Sequence, residues 1–114
     1  MTYSGIALYN STPSTSNGTL FTSSAGSVLK QIILTNTTGS AATVTLYLVR
    51  KGGTTSSNTT ITLANALSVP ANGIYELLDL RLGSDYGELQ FDTGDMLQGL
   101  QGTGSAVNVL AYGD

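Results

Sequence analysis

The chain has 114 residues, 40% of them hydrophobic and only 10% charged, with 14 Gly, 2 Pro and no Cys, His or Trp. That inventory excludes thiol chemistry, disulfides, Ser-His-Asp and Cys-His catalysis and the usual zinc ligand sets. A formal charge of −3 with four cationic residues also cannot build the clustered positive surface that nucleic acid requires, and the length is that of one domain.

Residues 1–18 form an N-terminal arm or edge segment. Met1-Thr-Tyr-Ser-Gly lacks a basic stretch and an apolar core, so no secretory signal is read, and no apolar run is long enough to span a bilayer. The expectation is a protein made in a cytoplasm. Tyr3, Ile6, Leu8 and Tyr9 are the apolar residues of this segment and precede the polar run from Asn10 to Gly18. Two readings stand side by side: an arm that docks these four residues on a neighbouring subunit, or an edge strand at 5–9 followed by a long loop.

Residues 19–114 are expected to fold as a single β-sandwich. The segment 27–35 is apolar on both faces, with Val28, Ile32 and Leu34 on one and Leu29 and Ile33 on the other, which predicts a central strand. Asn36 to Ala41 supplies a turn. The segment 42–50 alternates cleanly, Val44, Leu46 and Leu48 against Thr43, Thr45 and Tyr47, and predicts a half-buried strand. Lys51 to Asn58 is polar and Gly-rich and reads as a mobile, exposed loop. Separate strands are predicted at 59–64 and 66–69, and Pro70-Ala-Asn-Gly73 turns the chain into 74–80, where Ile74, Leu78 and Leu80 share a face. Residues 82–87 read as a loop or short helical turn. Strands at 88–91, 96–100 and 105–112 follow, separated by turns at Asp92–Asp95 and Gly102–Gly104. In the last of them Val107, Val109 and Ala111 alternate with Asn108, Leu110 and Tyr112. Seven or eight short strands without an amphipathic helix predict an all-β fold, an antiparallel β-sandwich of jelly-roll or Ig-like type.

The 17 Thr and 13 Ser, roughly a quarter of the chain, suit pleated strands and short reversals. Four Asn-x-Ser/Thr tripeptides, at Asn10, Asn17, Asn36 and Asn58, are read as turn and loop chemistry. Charge is uneven: residues 1–75 carry three cations and no acid, whereas all seven acids lie between Glu76 and Asp114. In a β-fold the two halves interleave, which blurs this asymmetry in space.

Phe91-Asp92-Thr93-Gly94 matches the catalytic signature of aspartic proteases, but only 20 residues follow Gly94. They leave no room for a flap and the second half of such a fold. Asp92 and Asp95 are instead expected to bracket a turn. A calcium site there would have two side chains unless Asp85 or Glu88 joined them. Gly99, Gly102 and Gly104 have no following helix to direct at a phosphate and read as hairpin punctuation. Glu76, Asp79, Glu88 and Asp92 lack the aromatic cleft of a glycosidase, and the six Tyr read as sheet packing. No catalytic, cofactor-binding or metal-ligating residue is assigned.

Read together, Leu20 to Gly26, Lys30 to Val49 with its Asn-Thr-Thr-Gly turn, Ser68-Val-Pro-Ala-Asn-Gly73, Gly94-Asp-Met-Leu97 and Ala106-Val-Asn-Val109 resemble the small β-sandwich virion proteins of tailed bacteriophages. The resemblance covers roughly residues 19–113. It implies a non-enzymatic virion structural protein, foremost a capsid decoration or cement protein. Such a protein would bind the major capsid protein on the outer shell as a homo-oligomer, a trimer among the options, without cofactor, nucleic acid or membrane. Wide polar contacts, strand addition and multivalent clasping are the physics of such a role. The alternative it implies is a neck, tail or fibre-associated module that uses the 51–58 loop as an adhesin.

Overall fold

The computed structural model describes residues 6–24, 26–79 and 89–113. Among them there is no helix, and nine strands form: β1 Ile6–Ser11, β2 Gly18–Thr22, β3 Ser27–Asn36, β4 Ala42–Val49, β5 Ile61–Val69, β6 Ile74–Asp79, β7 Leu89–Phe91, β8 Met96–Gln101 and β9 Val107–Gly113. All pairings are antiparallel. One sheet has the order β1-β9-β3-β6, with β7 also on β3, and the other has the order β2-β8-β4-β5. The chain crosses between sheets so that β1 and β2 lie beside β9 and β8, while β3 and β4 lie beside β6 and β5. This is a jelly roll, a rolled-up pair of Greek keys, and the strand order decides against the Ig-like alternative.

The core is the alternation of β4, β8 and β9 made solid. Val44, Leu46 and Leu48 meet Leu97 from one sheet, and Val107, Val109 and Ala111 meet Ile32 and Leu34 from the other; all are buried. Phe21 of β2 and Phe91 of β7 close one end edge-to-face across the two sheets, with ring centroids 5.9 Å apart. Gly99 sits where a Cβ would fall 2.6 Å from Leu46 Cδ2 and 2.7 Å from the Thr45 carbonyl oxygen, so the β4–β8 packing admits only glycine there.

Where alternation mispredicts, a β-bulge is the cause. Between Leu29 and Gln31, β3 spends two steps against one on β9. The extra residue brings Leu29 to the buried face beside Ile32 and Leu34 rather than beside Ile33. In β5 the chain does not break at Asn65. A single strand continues through a bulge in which Ala66 takes φ 49° and its N–H donates to Thr45 Oγ1 at 3.0 Å. β2 has no separate sequence prediction because Leu20 and Phe21 are adjacent apolar residues. The bulge between Thr19 and Phe21 turns both toward the core. Ile74 is 67% exposed, while Leu80, the side chain of Leu78 and the predicted loop at 82–87 lie outside the described residues.

The left-handed backbone at Ala66 carries a steric cost that glycine would not incur. Ala66→Gly should therefore raise stability by about 0.5–1 kcal/mol, read as a higher urea midpoint at constant m-value. A lower midpoint would show that the Ala66 methyl contributes more than its backbone strain costs.

Candidate functional site

The four N-terminal residues expected to make contacts are placed as follows. Tyr3 lies outside the described residues, as does the side chain of Ile6, whose main chain pairs with Gly113. Leu8 and Tyr9 are half-buried and pack against the core. They can both do so because β1 carries a bulge between Ala7 and Tyr9, which lets consecutive side chains turn to one face. Residues 6–11 are therefore the edge strand of the first sheet. The loop after β1 is tied back to β8: the Gln101 N–H donates to the Ser14 carbonyl at 3.0 Å, and its side-chain amide donates to the Pro13 carbonyl.

The loops fall into two sets at opposite ends of the sandwich. At one end lie the β1–β2, β3–β4, β5–β6 and β8–β9 connections, organised by two buried amides. Asn36 donates through Nδ2 to the Ser40 and Val69 carbonyls at 2.8 and 3.1 Å and accepts the Thr38 N–H on Oδ1 at 2.9 Å. Its main-chain N–H donates to the Gly73 carbonyl at 2.9 Å, so one residue, through side chain and main chain together, joins the Asn-Thr-Thr-Gly turn to the Pro-Ala-Asn-Gly turn. Gln101 has no exposed surface and accepts the Ala106 and Val107 N–H groups on Oε1 at 3.1 and 2.8 Å. Nothing in one dimension marks Gln101, because its partners are main-chain groups, two of them just across the β8–β9 turn and one, the Pro13 carbonyl, far away in the chain.

At the other end the organiser is Asp95, 3% exposed. Its Oδ2 accepts from Arg50 Nη1 at 2.8 Å and from the Asp92 N–H at 2.8 Å, and its Oδ1 accepts from the Lys51 N–H at 2.9 Å. The turn closes on itself through the Asp95 N–H to the Asp92 carbonyl, at 3.0 Å. It is stitched to the end of β2 by the Ser23 N–H to the Asp95 carbonyl and by the Gly94 N–H to the Ser23 carbonyl, at 2.9 and 2.8 Å. Gly94 has φ +90° and lies under the Lys51 stem, where a Cβ would come 2.7 Å from Cδ. Burial opposes the ionisation of Asp95, but the Lys51 and Asp92 amides and the Arg50 guanidinium outweigh it and hold the carboxyl below its ordinary value. This node also joins a cation of the first half of the sequence to an acid of the second, so charges separated in the sequence meet in space.

The β4–β5 loop grows directly from this anchor. Its hydroxyls organise it from within: Ser57 Oγ accepts the Thr54 N–H at 2.9 Å, and turns close from Gly53 to Arg50 and from Thr60 to Ser57. Ser and Thr thus cap the loop's own turns, a capacity that its polar, Gly-rich composition does not by itself announce. Thr54, Ser56, Asn58 and Thr59 remain exposed. The outer face of the second sheet is likewise polar, with Thr19, Gln98, Tyr47 and Thr62 in register across four strands.

Among the described residues there is no pocket, no group of three or more His, Cys, Asp or Glu side chains, and no helix long and apolar enough to cross a membrane. Comparison with family models, curated proteins and solved structures gives no match.

Proposed function

We propose that the chain is a non-enzymatic structural protein of a tailed-phage virion, a capsid decoration protein that binds the major capsid protein on the outer shell. The observation that carries this reading is the jelly-roll strand order, an architecture that virion proteins share with lectins and cupins. The step from architecture to role is an analogy; the segments of residues 19–113 that resemble phage virion sandwiches give it direction. A two-layer plate of 38 × 37 × 20 Å offers broad, shallow faces. Such a module gains avidity by touching several capsid subunits at once, and a homo-oligomer multiplies those contacts.

The edges shape how those contacts form. Among the described residues β1, β2, β5 and β6 each end a sheet and pair with their neighbour through a bulged register, while β7, regular against β3, is only three residues long. Bulged edges work against pairing with a foreign strand, so strand addition gives way here to contacts through the hydroxyl-rich faces and the loop ends. A second reading is favoured by the β4–β5 loop, whose exposed hydroxyls sit on the Asp95 anchor. Such a loop suits a neck or tail module that touches a surface glycan.

Quantitative proteomics of purified particles separates the two. Copies on the order of the capsid subunits themselves support decoration. A few copies per particle support the neck or tail, and absence from particles contradicts both.

A further inference from the structure

We infer that the bond between Asn17 and Gly18 is a site of spontaneous deamidation, and that the fold protects the chain's other Asn-Gly pair, Asn72–Gly73. These are the two Asn residues followed by glycine; the remaining five precede Ser, Thr, Ala or Val, whose β-carbons crowd the attacking amide. The reaction needs only water. The Gly18 amide nitrogen gives up its proton and attacks Asn17 Cγ. A C–N bond forms to close a five-membered succinimide while the Cγ–Nδ2 bond breaks, and Nδ2 departs as ammonia with a proton. Water then opens the ring at either carbonyl to leave aspartate or isoaspartate.

Ring closure swings the backbone of both residues and takes the glycine N–H out of any hydrogen bond. At 72–73 the fold resists each movement. The Asn72 N–H donates to the Thr38 carbonyl at 3.0 Å, the Gly73 N–H to the Pro70 carbonyl at 3.1 Å, and the Gly73 carbonyl accepts from the Asn36 N–H at 2.9 Å. The Pro70 ring also closes over Gly73, 2.7 Å from where a Cβ would stand. Asn17 and Gly18 are both exposed; Gly18 opens the edge strand β2 at the terminal pairing of its ladder, opposite Gly99, where fraying is least costly, and no atom lies within 4 Å of a Cβ built on Gly18. Asn17 Nδ2 donates to Gln98 Oε1 at 3.0 Å. Conversion replaces this donor by a carboxylate oxygen facing an acceptor, and adds one negative charge to the polar outer face of the second sheet.

The test is peptide mapping of the purified full-length protein during incubation in mildly alkaline buffer, resolving aspartate from isoaspartate. Asn17 should convert, and Asn72 should lag by roughly fivefold or more, the factor that follows from one retained hydrogen bond. In denaturant the two sites should react at similar rates. Gly18→Ala, which meets open space, should keep the thermal midpoint and suppress conversion at Asn17. Equal rates in the folded protein, a faster Asn72, or an unmodified Asn17 beside a denatured chain that modifies at both sites would overturn the inference.

Discussion

Replacing Asp95 by alanine should lower the unfolding free energy by about 2–4 kcal/mol, the larger share coming from the orphaned Lys51 and Asp92 N–H groups. Those two donors end on a carboxylate that is nearly inaccessible, and nothing in an alanine variant replaces it. Arg50 is more than a third exposed, so water screens its charge and the ion pair itself adds little. Arg50→Ala should consequently cost clearly less than Asp95→Ala. The pH dependence has a definite sign. Asp95 is held below its ordinary value of 3.8 in the folded chain. Its contribution is therefore complete above that value and is lost as the pH falls toward the lower folded one. Asp95→Asn should flatten this acid limb. Urea melts of the unsubstituted protein and the three variants between neutral and acid pH check the prediction, and equal slopes for the unsubstituted and Asp95→Asn proteins below the ordinary carboxylate value would refute it. A loss of the Asp95 anchor should also raise hydrogen exchange in the β4–β5 loop before it does so in β3 or β9.

Gln101→Leu should be at least as damaging, at about 3–5 kcal/mol. The substitution keeps volume and removes hydration cost from the side chain itself, so on area alone it would stabilise. The deciding quantity is what it leaves behind: the Ala106 and Val107 N–H groups and the Pro13 carbonyl, all facing a residue with no exposed surface. An unpaired buried polar group costs about 1–3 kcal/mol, and three of them outweigh one buried apolar side chain at about 1.5–3 kcal/mol. Against a total stability of about 5–15 kcal/mol for a domain, the variant should be close to unfolding at 37 °C. A loss below about 1 kcal/mol would mean that water reaches these groups.

How much of this was legible depends on the physical range of each signal. Period-two alternation reports a regular strand, and where β4 and β9 are regular the buried residues Val44, Leu46, Leu48, Val107, Val109 and Ala111 are those that alternation selects. A bulge inserts one residue and inverts the alternation beyond it. That is why Leu29 appeared to face away from Ile32, and why β5 read as two strands. Asn36 and Asp95 were recognisable as turn residues from their neighbours, Thr-Thr-Gly and Asp-Thr-Gly. Their burial and the segments they join depend on the rolled topology, which brings residues 23, 50 and 95 together. The N-terminal apolar residues carried no signal to separate a subunit arm from an edge strand, because Leu8 and Tyr9 are adjacent and the bulge that accommodates them is set by β9.

The proposed role places this sandwich on the outside of a phage shell, where it would stabilise the particle. The direct measurement is cosedimentation of the purified full-length protein with particles assembled without it, paired with the thermal midpoint of shell disruption. A decoration protein should bind saturably at a fixed ratio to the major capsid protein and raise the midpoint of the decorated particles. Protein that stays in the supernatant, with a shell midpoint that does not move, would contradict this role.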